Sequence, residues 1–279
     1  MGPGRRRGPC TVEAILGTAT ESARMPPEPT ELPDPELWRQ LGWQPDRTQL
    51  GQLRQLQDLL RGWNARLNLT RLVEGEDYWI AQVFDSLWPH LDLLASGGER
   101  EGRPLRLIDV GSGGGFPGLA LAIALPRAHL TLVDSVGRKV EAVRAMAADL
   151  GLAPRLELRA ERIERSGRSP DCRGRFDRAM ARAVARPPVV AEYLVPLLRS
   201  DGLALLYRGL WSSDDERELR HAAARLAAGL VRVEQRDLPR LRGVRHAVWL
   251  GPLAPCPAAF PRPVGVPQRS PLQPASGSR

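Results

Sequence analysis

A glycine-rich turn between an apolar run and a helical pattern constrains this chain more than any other feature of its sequence. The segment 105–118 reads LRLIDVGSGGGFPG, in which the apolar run leads into a cluster of five glycines. A segment with helical patterning opens at Phe116. Glycines let the backbone turn sharply and approach a ligand closely, and a helix N-terminus offers free N–H groups. The order strand, glycine turn, helix therefore predicts a site for a nucleotide or nucleoside cofactor.

A carboxylate at the end of the next predicted strand supports this prediction. The apolar segment HLTLV ends at Asp134, which can accept hydrogen bonds from a ribose diol. Gly113, Gly115 and Gly118 also satisfy the dinucleotide spacing G-x-G-x-x-G, which is a weak signal by itself. Asp109 before the turn and the G-x-G-G-G form of the turn favour S-adenosylmethionine (SAM) over a dinucleotide. An NAD-binding oxidoreductase stays open as an alternative, although the chain shows no obvious Tyr-x-x-x-Lys pair or catalytic histidine.

Strand and helix patterns alternate from residue 105 onward. The predicted strands are Leu105–Val110, His129–Val133, Arg155–Arg159, Arg175–Ala181, Gly202–Tyr207, Leu230–Arg236 and Arg245–Leu250. The predicted helices are Phe116–Leu125, Arg138–Leu150, Pro188–Arg199 and Asp214–Ala228, while 178–185 is ambiguous in type. The alternation predicts an α/β, Rossmann-like fold with a mostly parallel seven-stranded sheet and helices on both faces. Ligands in such sheets bind at the carboxyl ends of the strands, which brings the glycine turn, Asp134, the 159–161 corner and Arg182 around one crevice.

Composition divides the chain into five segments. Residues 1–35 are rich in Gly, Pro, Glu and Arg without periodicity, which predicts a disordered extension and leaves Met25 as an alternative start. Residues 36–96 predict an N-terminal helical unit with two amphipathic helices, Asp46–Leu67 and Asp77–Leu94. A linker over 97–104 leads to the main domain over 105–250. A Pro- and Arg-rich tail over 251–279 has no structural pattern but is able to fold back on the core.

The charge of the chain is consistent with a polyanionic partner. Forty Lys and Arg residues face 32 Asp and Glu, for a formal net charge of +8. Lys139 is the only lysine, so codon bias towards arginine explains part of this excess. The basic residues dominate from Arg232 onward, so we expect the C-terminal end, together with arginines of the helical unit such as Arg66 and Arg71, to contact the nucleic acid.

Neither a membrane span nor a metal site is indicated. The longest apolar run, 119–125, is far too short to cross a bilayer. The three cysteines have no C-x-x-C spacing and no histidine at ligand spacing, so we expect no disulfide framework and no metal. This cysteine usage is typical of the reducing cytoplasm, which we expect as the location.

Several separated motifs together resemble one family, the GidB (RsmG) family of bacterial methyltransferases that modify guanine N7 in 16S ribosomal RNA. The resemblance covers roughly residues 41–272. The matching motifs are Trp63-Asn64, Leu67-Asn68-Leu69-Thr70, Phe84-Asp85-Ser86-Leu87, the turn DVGSGGGFPGLALAI, Val133-Asp134-Ser135, Arg138-Lys139, Arg159-Ala160-Glu161, Phe176-Asp177, Ala181-Arg182-Ala183 and the tail segment 260–267. Three positions depart from the pattern, since Gln82 replaces a usual histidine, Ala181 a common serine and Arg208 a frequent lysine.

The resemblance implies a class I SAM-dependent methyltransferase fold that acts on guanine 527 of the 16S decoding-region loop. It implies 16S ribosomal RNA or the small ribosomal subunit as the partner, and we expect the protein to act as a monomer. The residues implied in SAM binding are Gly111, Phe116, Asp134, Ser135, Val136, Ala160, Glu161 and Arg182. No general base is predicted, because guanine N7 carries no proton at neutral pH, and Arg182 and Arg208 are the positioning candidates. A methyltransferase that acts on another RNA, a protein or a small molecule stays open as an alternative.

Overall fold

The computed structural model describes residues 1–2 and 32–274 of the chain. The alternative start at Met25 and most of the predicted extension over 1–35 lie outside the described residues. The described strands are β1 (Glu99–Arg100), β2 (Arg103–Pro104), β3 (Arg106–Val110), β4 (His129–Asp134), β5 (Leu156–Ala160), β6 (Phe176–Arg182), β7 (Leu198–Arg208), β8 (Ala228–Asp237) and β9 (Val244–Pro252). The described α-helices are α1 (Pro35–Leu41), α2 (Arg47–Leu67), α3 (Asp85–Leu87), α4 (Leu91–Leu94), α5 (Gly118–Ala124), α6 (Gly137–Asp149), α7 (Ile163–Ser166), α8 (Pro187–Leu194), α9 (Ser213–Arg225) and α10 (Val266–Arg269).

Strands β3 to β9 form one seven-stranded sheet in the order β5-β4-β3-β6-β7-β9-β8. The first five strands in this order run parallel, and β9 lies antiparallel to both β7 and β8. The prediction of a mostly parallel seven-stranded sheet is confirmed. The chain passes from β3 outward to β5 and then returns to β6 on the other side of β3, so the strand order reverses beside β3. In open α/β sheets, ligands bind outside the carboxyl ends of the strands at such a reversal.

Both faces of the sheet are buried. On β3, Leu107 packs into a core with α2, α5 and α6, whereas Ile108 and Val110 pack into a second core with α8 and α9. Successive side chains on a strand point to opposite faces, so this run buries apolar residues on both faces, and Asp109 is the one polar residue buried with them. The helical unit shares the first core with the sheet, because Leu53 of α2 and Leu121 of α5 belong to the same cluster.

Helix α2 is fixed at its start by a capping box and by a contact with α5. The Asp46 carboxylate accepts the Gln49 backbone N–H at 2.8 Å, and the Gln49 side chain accepts the Asp46 N–H at 2.9 Å. The Gln49 amide also donates to the carbonyl oxygens of Ile123 and Ala124 at 3.2 and 3.3 Å. These carbonyls end α5 and have no intrahelical partner, so one glutamine satisfies the ends of two helices.

The prediction of one amphipathic helix over Asp77–Leu94 is wrong. The segment begins as a π-helix (Asp77–Phe84), continues as α3, passes through a 3₁₀ turn (Trp88–His90) and ends as α4. Residues 78–90 are all buried, because the segment is enclosed between the other helices and the sheet. A helix that is enclosed on every side shows no polar stripe. Pro89 interrupts the regular helix, since it has no N–H to donate.

Several other boundaries differ from the sequence-based expectations. The expected linker over 97–104 contains the antiparallel pair β1–β2, with Glu99 opposite Pro104. The helix predicted over Pro188–Arg199 ends at Leu194, because Pro196 lies in a 3₁₀ turn and β7 already begins at Leu198. The ambiguous segment 178–185 is strand as far as Arg182.

The tail, as far as residue 274, folds back on the second core. Arg168 and Arg173 donate to carbonyl oxygens of the segment 256–261, among them the bond from Arg168 Nε to Pro261 O at 2.8 Å. Arg262 pairs at 2.7 Å with Glu192, which is fully buried on α8. In the described part of the chain, no helix combines the length and the apolar character that a membrane crossing needs.

Candidate cofactor cleft

The glycine turn lies at the carboxyl end of β3, directly beside the end of β4. The Asp134 carboxylate, the last residue of β4, accepts the Gly113 N–H at Oδ2 (2.9 Å) and the Val136 N–H at Oδ1 (2.8 Å). Each carboxylate oxygen has a second lone pair that remains available to a hydroxyl donor. Asp134 therefore fixes the turn and keeps the capacity to bind a diol.

Gly111 must be glycine for two reasons. Its φ of +74° lies in the left-handed region, which is strained for other residues. A Cβ at this position would lie 2.6 Å from Cγ2 of Val184, which follows β6. The Val184 side chain therefore packs directly against the backbone of the turn.

A cleft with two lobes surrounds the turn. The Glu161 lobe, with a volume of about 190 Å³, is lined by Val110, Gly111, Val133, Asp134, Ser135, Glu161, Arg162, Ile163, Val184, Tyr193 and Gln268. The Lys139 lobe, with a volume of about 370 Å³, is lined by Leu69, Thr70, Gln82, Gly111, Ser112, Gly113, Gly114, Phe116, Asp134, Lys139, Arg182, Ala183 and Val184. Gly111, Asp134 and Val184 line both lobes, so the two form one continuous cleft.

The structure brings most of the sequence-predicted cofactor residues to this cleft. Gly111, Phe116, Asp134, Ser135, Glu161 and Arg182 line it. Val136 lines neither lobe but donates its N–H to Asp134. Ala160 pairs with Asp134 across β4 and β5, and its side chain is exposed outside both lobes. Arg208 also lies outside the lobes and donates to Ala185 O at 3.4 Å.

Glu161 is held rigidly against the end of β4. Its backbone N–H donates to Asp134 O at 3.1 Å, and its carboxylate accepts the Ser166 hydroxyl at 2.6 Å. Arg159 contacts the same carboxylate oxygen at 3.3 Å. These contacts give the Glu161 lobe a fixed wall.

Arg182 at the end of β6 ties the sheet to the helical unit. Its guanidinium donates to Ala81 O at 3.0 Å, to the Gln82 side-chain oxygen and to the Asp85 carboxylate at 3.4 Å. It also lies over the ring of Phe116, 5.9 Å from the centroid. Because these partners occupy the guanidinium, Arg182 acts as a brace between the helical unit and the cleft.

Sequence reasoning missed Leu69, Thr70 and Gln82 as cleft residues. The Gln82 amide donates to the Thr70 hydroxyl at 2.9 Å, while its oxygen accepts from Arg182. The family resemblance leads one to expect a histidine at position 82. The departure to Gln82 is the signal in the sequence that could have identified this position as part of the cleft. A glutamine serves both partners, because its amide donates to one and accepts from the other.

Asp109 lies buried beneath the turn. Its Oδ2 accepts the Gly118 N–H at 2.9 Å, while its Oδ1 has no partner among the described residues. Burial raises the pKa of this carboxyl to about 7, against the opposing effects of the Gly118 hydrogen bond and of Arg182. The group can therefore be neutral or charged close to neutral pH.

The C-terminal arginines do not form the free basic face that the sequence predicts. The arginines with acceptors within the chain are Arg232 (Glu234), Arg236 (Gln40 O), Arg240 (Asp34 and Glu76), Arg242 (Glu76 and Asp77), Arg245 (Asp85) and Arg262 (Glu192). Five of these six arginines pair with carboxylates, whereas Arg236 donates to a carbonyl, and Arg269 pairs with no carboxylate of the described residues. Arg279 lies outside the described residues.

Free cations lie instead on one side of the cleft. We call Arg66, Arg71, Arg138 and Lys139 the free-cation rim, since none of them pairs with a carboxylate of the described residues. Gln52 of α2 donates to Leu150 O after α6 at 2.9 Å, while the end of α2 and the start of α6 meet at the Lys139 lobe. The two helices therefore run antiparallel, which brings the four cations to the same end.

Two other cavities, of about 300 and 460 Å³, lie elsewhere in the described chain, and the glycine turn lines neither of them. Residues 32–274 hold no group of three His, Cys, Asp or Glu side chains that suits a metal ion. Cys172 and Cys256 are free thiols.

Comparisons with known proteins agree on one family and one fold. The family described as rRNA small subunit methyltransferase G (GidB) matches residues 49–240. Proteins named ribosomal RNA small subunit methyltransferase G from Prochlorococcus marinus (strain MIT 9313) and Synechococcus sp. (strain RCC307) are 61% and 60% identical to the chain. The alignments cover 86% and 84% of the chain, and 96% and 97% of these relatives.

Solved structures of low identity share the fold. The O-methyltransferase TomG from Streptomyces achromogenes, solved with SAM, matches with a TM-score of 0.50 and 16% identity over 76% of this chain and 92% of its own. An O-methyltransferase from Bacillus cereus, solved with SAH, matches with a TM-score of 0.50 and 16% identity over 70% of this chain and 90% of its own. The class I methyltransferase fold expected from the sequence is confirmed.

Proposed function

The chain belongs to the GidB family of ribosomal RNA small subunit methyltransferases, and we propose that it transfers a methyl group from SAM to N7 of a guanine in 16S ribosomal RNA. By the resemblance set out above, that guanine is position 527. The observation that carries the proposal is the contact of Asp134 with the glycine turn, at the carboxyl ends of two adjacent parallel strands. The family assignment favours this reaction over that of an NAD-binding oxidoreductase.

The cleft residues fit SAM. Asp134 offers acceptors for the ribose hydroxyls, and Val133 and Ile163 give the Glu161 lobe apolar walls for the adenine. Gly111, which no Cβ can replace, lets the backbone approach the methionine part. Ser135 and Glu161 line the side of the cleft at which we place the nucleoside, and Val136 and Ala160 lie next to it in the chain.

The reaction depends on placement. When bound, SAM supplies an electrophilic methyl group on a positively charged sulfur. Guanine N7 has an exposed lone pair and no proton to lose, so the protein needs no general base. The contribution of this chain is to hold the two partners in line and to keep water out of the cleft.

Arg182 does not oppose the charge transfer of the reaction. Methylation moves positive charge onto the guanine ring, so an uncompensated cation beside the ring would slow the reaction. The charge of Arg182 is compensated by Asp85 and by the oxygens of Ala81 and Gln82. Arg182 and Arg208 are therefore proposed as positioning residues and not as acids or bases.

The free-cation rim is the proposed contact for RNA phosphates. Arg66 lies in the last turn of α2 and Arg71 follows that helix, while Arg138 and Lys139 lie at the start of α6, where Lys139 lines the lobe. Phosphate contacts fix the register of a nucleic acid without reading its sequence. The target base would then enter the cleft from this side, unstacked from its neighbours.

We take the protein to act as a monomer in which the helical unit (36–96), the main domain (105–250) and the tail (251–279) work together. The shared core of α2 and α5 supports the joint action of these segments, because the helical unit supplies Leu69, Thr70 and Gln82 to the cleft. The tail contributes Gln268, so all three segments build the site.

Transfer of a tritiated methyl group tests the proposal. Small ribosomal subunits from a strain without this activity are incubated with the protein and labelled SAM, and the RNA is then digested to nucleosides. Labelled 7-methylguanosine in the digest supports the proposal. Labelling of another nucleoside, or of a ribosomal protein, overturns it, while SAH binding by itself reports on the cofactor site.

A further inference from the structure

An exposed leucine lies at the end of the sheet that carries the cleft. Leu210 follows β7 and is 87% exposed. Strands β6 and β7 run parallel with Arg182 opposite Tyr207. The loop 208–211 therefore leaves the sheet beside Ala183 and Val184, which line the cleft.

The backbone of this loop is fixed while the leucine side chain stays exposed. Arg208 donates to Ala185 O at 3.4 Å, and the His246 ring contacts Gly209 O at 2.9 Å. The Ser212 hydroxyl caps α9 by accepting the Asp215 N–H at 3.1 Å. These contacts hold the loop on both sides of Leu210, so the backbone places this leucine although its side chain is largely exposed.

Two buried donors beside the leucine have no acceptor. Arg208 Nε and Trp211 Nε1 are buried without a hydrogen-bond partner in the described part of the chain. Unpaired buried donors are rare in folded proteins. Both residues flank Leu210, so this loop has polar groups that the described chain leaves unpaired.

We propose that Leu210 is a wedge that enters the base stack of the RNA when the target guanine leaves it. This inference rests on the proposed function, because the methyl acceptor is then one nucleotide of a strand. The nucleotides on either side of the target guanine must cross the rim of the cleft when the guanine enters. Apolar side chains inserted between bases offset the lost stacking, and Arg208 beside the wedge attracts the backbone of the strand.

The experiment compares Leu210→Ala with Leu210→Met and with a matched control. The control is Leu253→Ala, because Leu253 is 80% exposed after β9, at the opposite end of the sheet. Each variant is assayed for methylation of a 16S fragment and for SAH affinity. A fragment with 2-aminopurine next to the target guanine reports unstacking by its fluorescence.

We expect Leu210→Ala to lower kcat/KM on the fragment at least tenfold and to abolish the fluorescence increase, with SAH affinity unchanged. Leu210→Met should keep most of both signals, since it retains apolar bulk, and Leu253→Ala should match the wild type. An abasic neighbour, which removes the stacking, should restore methylation by Leu210→Ala.

Two results would overturn the wedge. One is equal kcat/KM for Leu210→Ala and Leu253→Ala on the fragment. The other is a loss confined to intact subunits, which would make Leu210 a contact for a ribosomal protein. A wild-type protein that binds SAH but methylates no RNA would overturn the proposed function itself. This outcome is distinguishable from the two results above, because the wild type and every variant would then be inactive.

Discussion

The Asp134 carboxylate accepts the backbone N–H of Gly113 at 2.9 Å, and this bond joins the end of β4 to the turn after β3. The same carboxylate holds the Val136 N–H before α6. One side chain thus shapes two loops of the cleft and is also the proposed acceptor for the ribose.

Asp134→Asn should weaken SAH binding by about 10- to 100-fold. The amide has one acceptor oxygen in place of the two of the carboxylate, and it carries no negative charge. Calorimetric titration with SAH measures the change. Glu141→Gln, an exposed change of charge on α6, is the control and should leave affinity within a factor of about two. Equal affinity of Asp134→Asn and wild type would remove Asp134 from the cofactor site.

Gly111→Ala should lower the free energy of unfolding by about 2–4 kcal/mol, since it adds left-handed strain to a 2.6 Å clash with Val184. Val184→Ala removes the clash but not the strain, so the double variant should recover part of the loss. Urea denaturation of the four proteins of this cycle gives the coupling. Gly137→Ala is the control, because a Cβ there meets nothing within 4 Å. Additive single changes would contradict the proposed contact.

Arg182→Lys should destabilise the protein by about 1–3 kcal/mol, because one ammonium cannot serve acceptors that a planar guanidinium reaches together. The loss should appear in chemical denaturation even without cofactor, as expected for a brace between the helical unit and the sheet. Arg186→Lys alters an exposed pair with Glu218 and should cost no more than about 0.5 kcal/mol. Equal effects of the two changes would argue against the brace.

Asp109→Asn should flatten the dependence of stability on pH. The native pKa of Asp109 is raised to about 7 from 3.8, so the native state holds the proton that the unfolded state releases. This carboxyl therefore makes the wild type lose stability as the pH rises from about 4 to about 7, by an amount on the order of a few kcal/mol.

The difference between Asp109→Asn and wild type isolates this effect. Burial lowers the pKa of His90 to about 3, which gives both proteins the opposite slope below pH 6.5. Urea denaturation at pH 5 and pH 8 should therefore show that the free energy of unfolding of the variant, relative to that of the wild type, is higher at pH 8 than at pH 5. A constant difference would mean that Asp109 is ionised throughout.

Arg71→Gln and Arg138→Gln should each lower the slope of log Kd against log salt for RNA by about one unit. Both residues belong to the free-cation rim. The control is Arg225 on α9, which also has no carboxylate partner in residues 32–274 but is distant from the rim residues in the sequence. Arg225→Gln should leave the slope unchanged. Filter binding from low to physiological salt provides the measurement, and an unchanged slope in both rim variants would move the RNA to another face.

The glycine turn and Asp134 were predictable because strand, turn, helix and strand lie within about 30 consecutive residues, where local pattern decides the structure. The contact of Arg182 with Gln82 joins residues 100 positions apart, and no periodicity encodes it. Gln82 itself lies in a π-helix buried on every side, where the sequence shows no polar face to read.

The arginines show a second limit of sequence reasoning. Net charge predicted a polyanionic partner but placed the basic face at the C-terminal end. Pairing decides which charges remain free, and Arg240 finds Asp34 and Glu76, far away in the sequence. Ala160 and Arg208 lie outside the two lobes, so their roles in the reaction stay predictions.

Gln268 lines the Glu161 lobe, only a few residues before the end of the described chain, and Leu69 lines the other lobe. The cleft is thus closed by parts of the chain that leave the ribosome early and late. A nascent protein in which Arg262 has just emerged still lacks one wall of its binding site. Translation must therefore pass Gln268 before the Glu161 lobe has all of its walls.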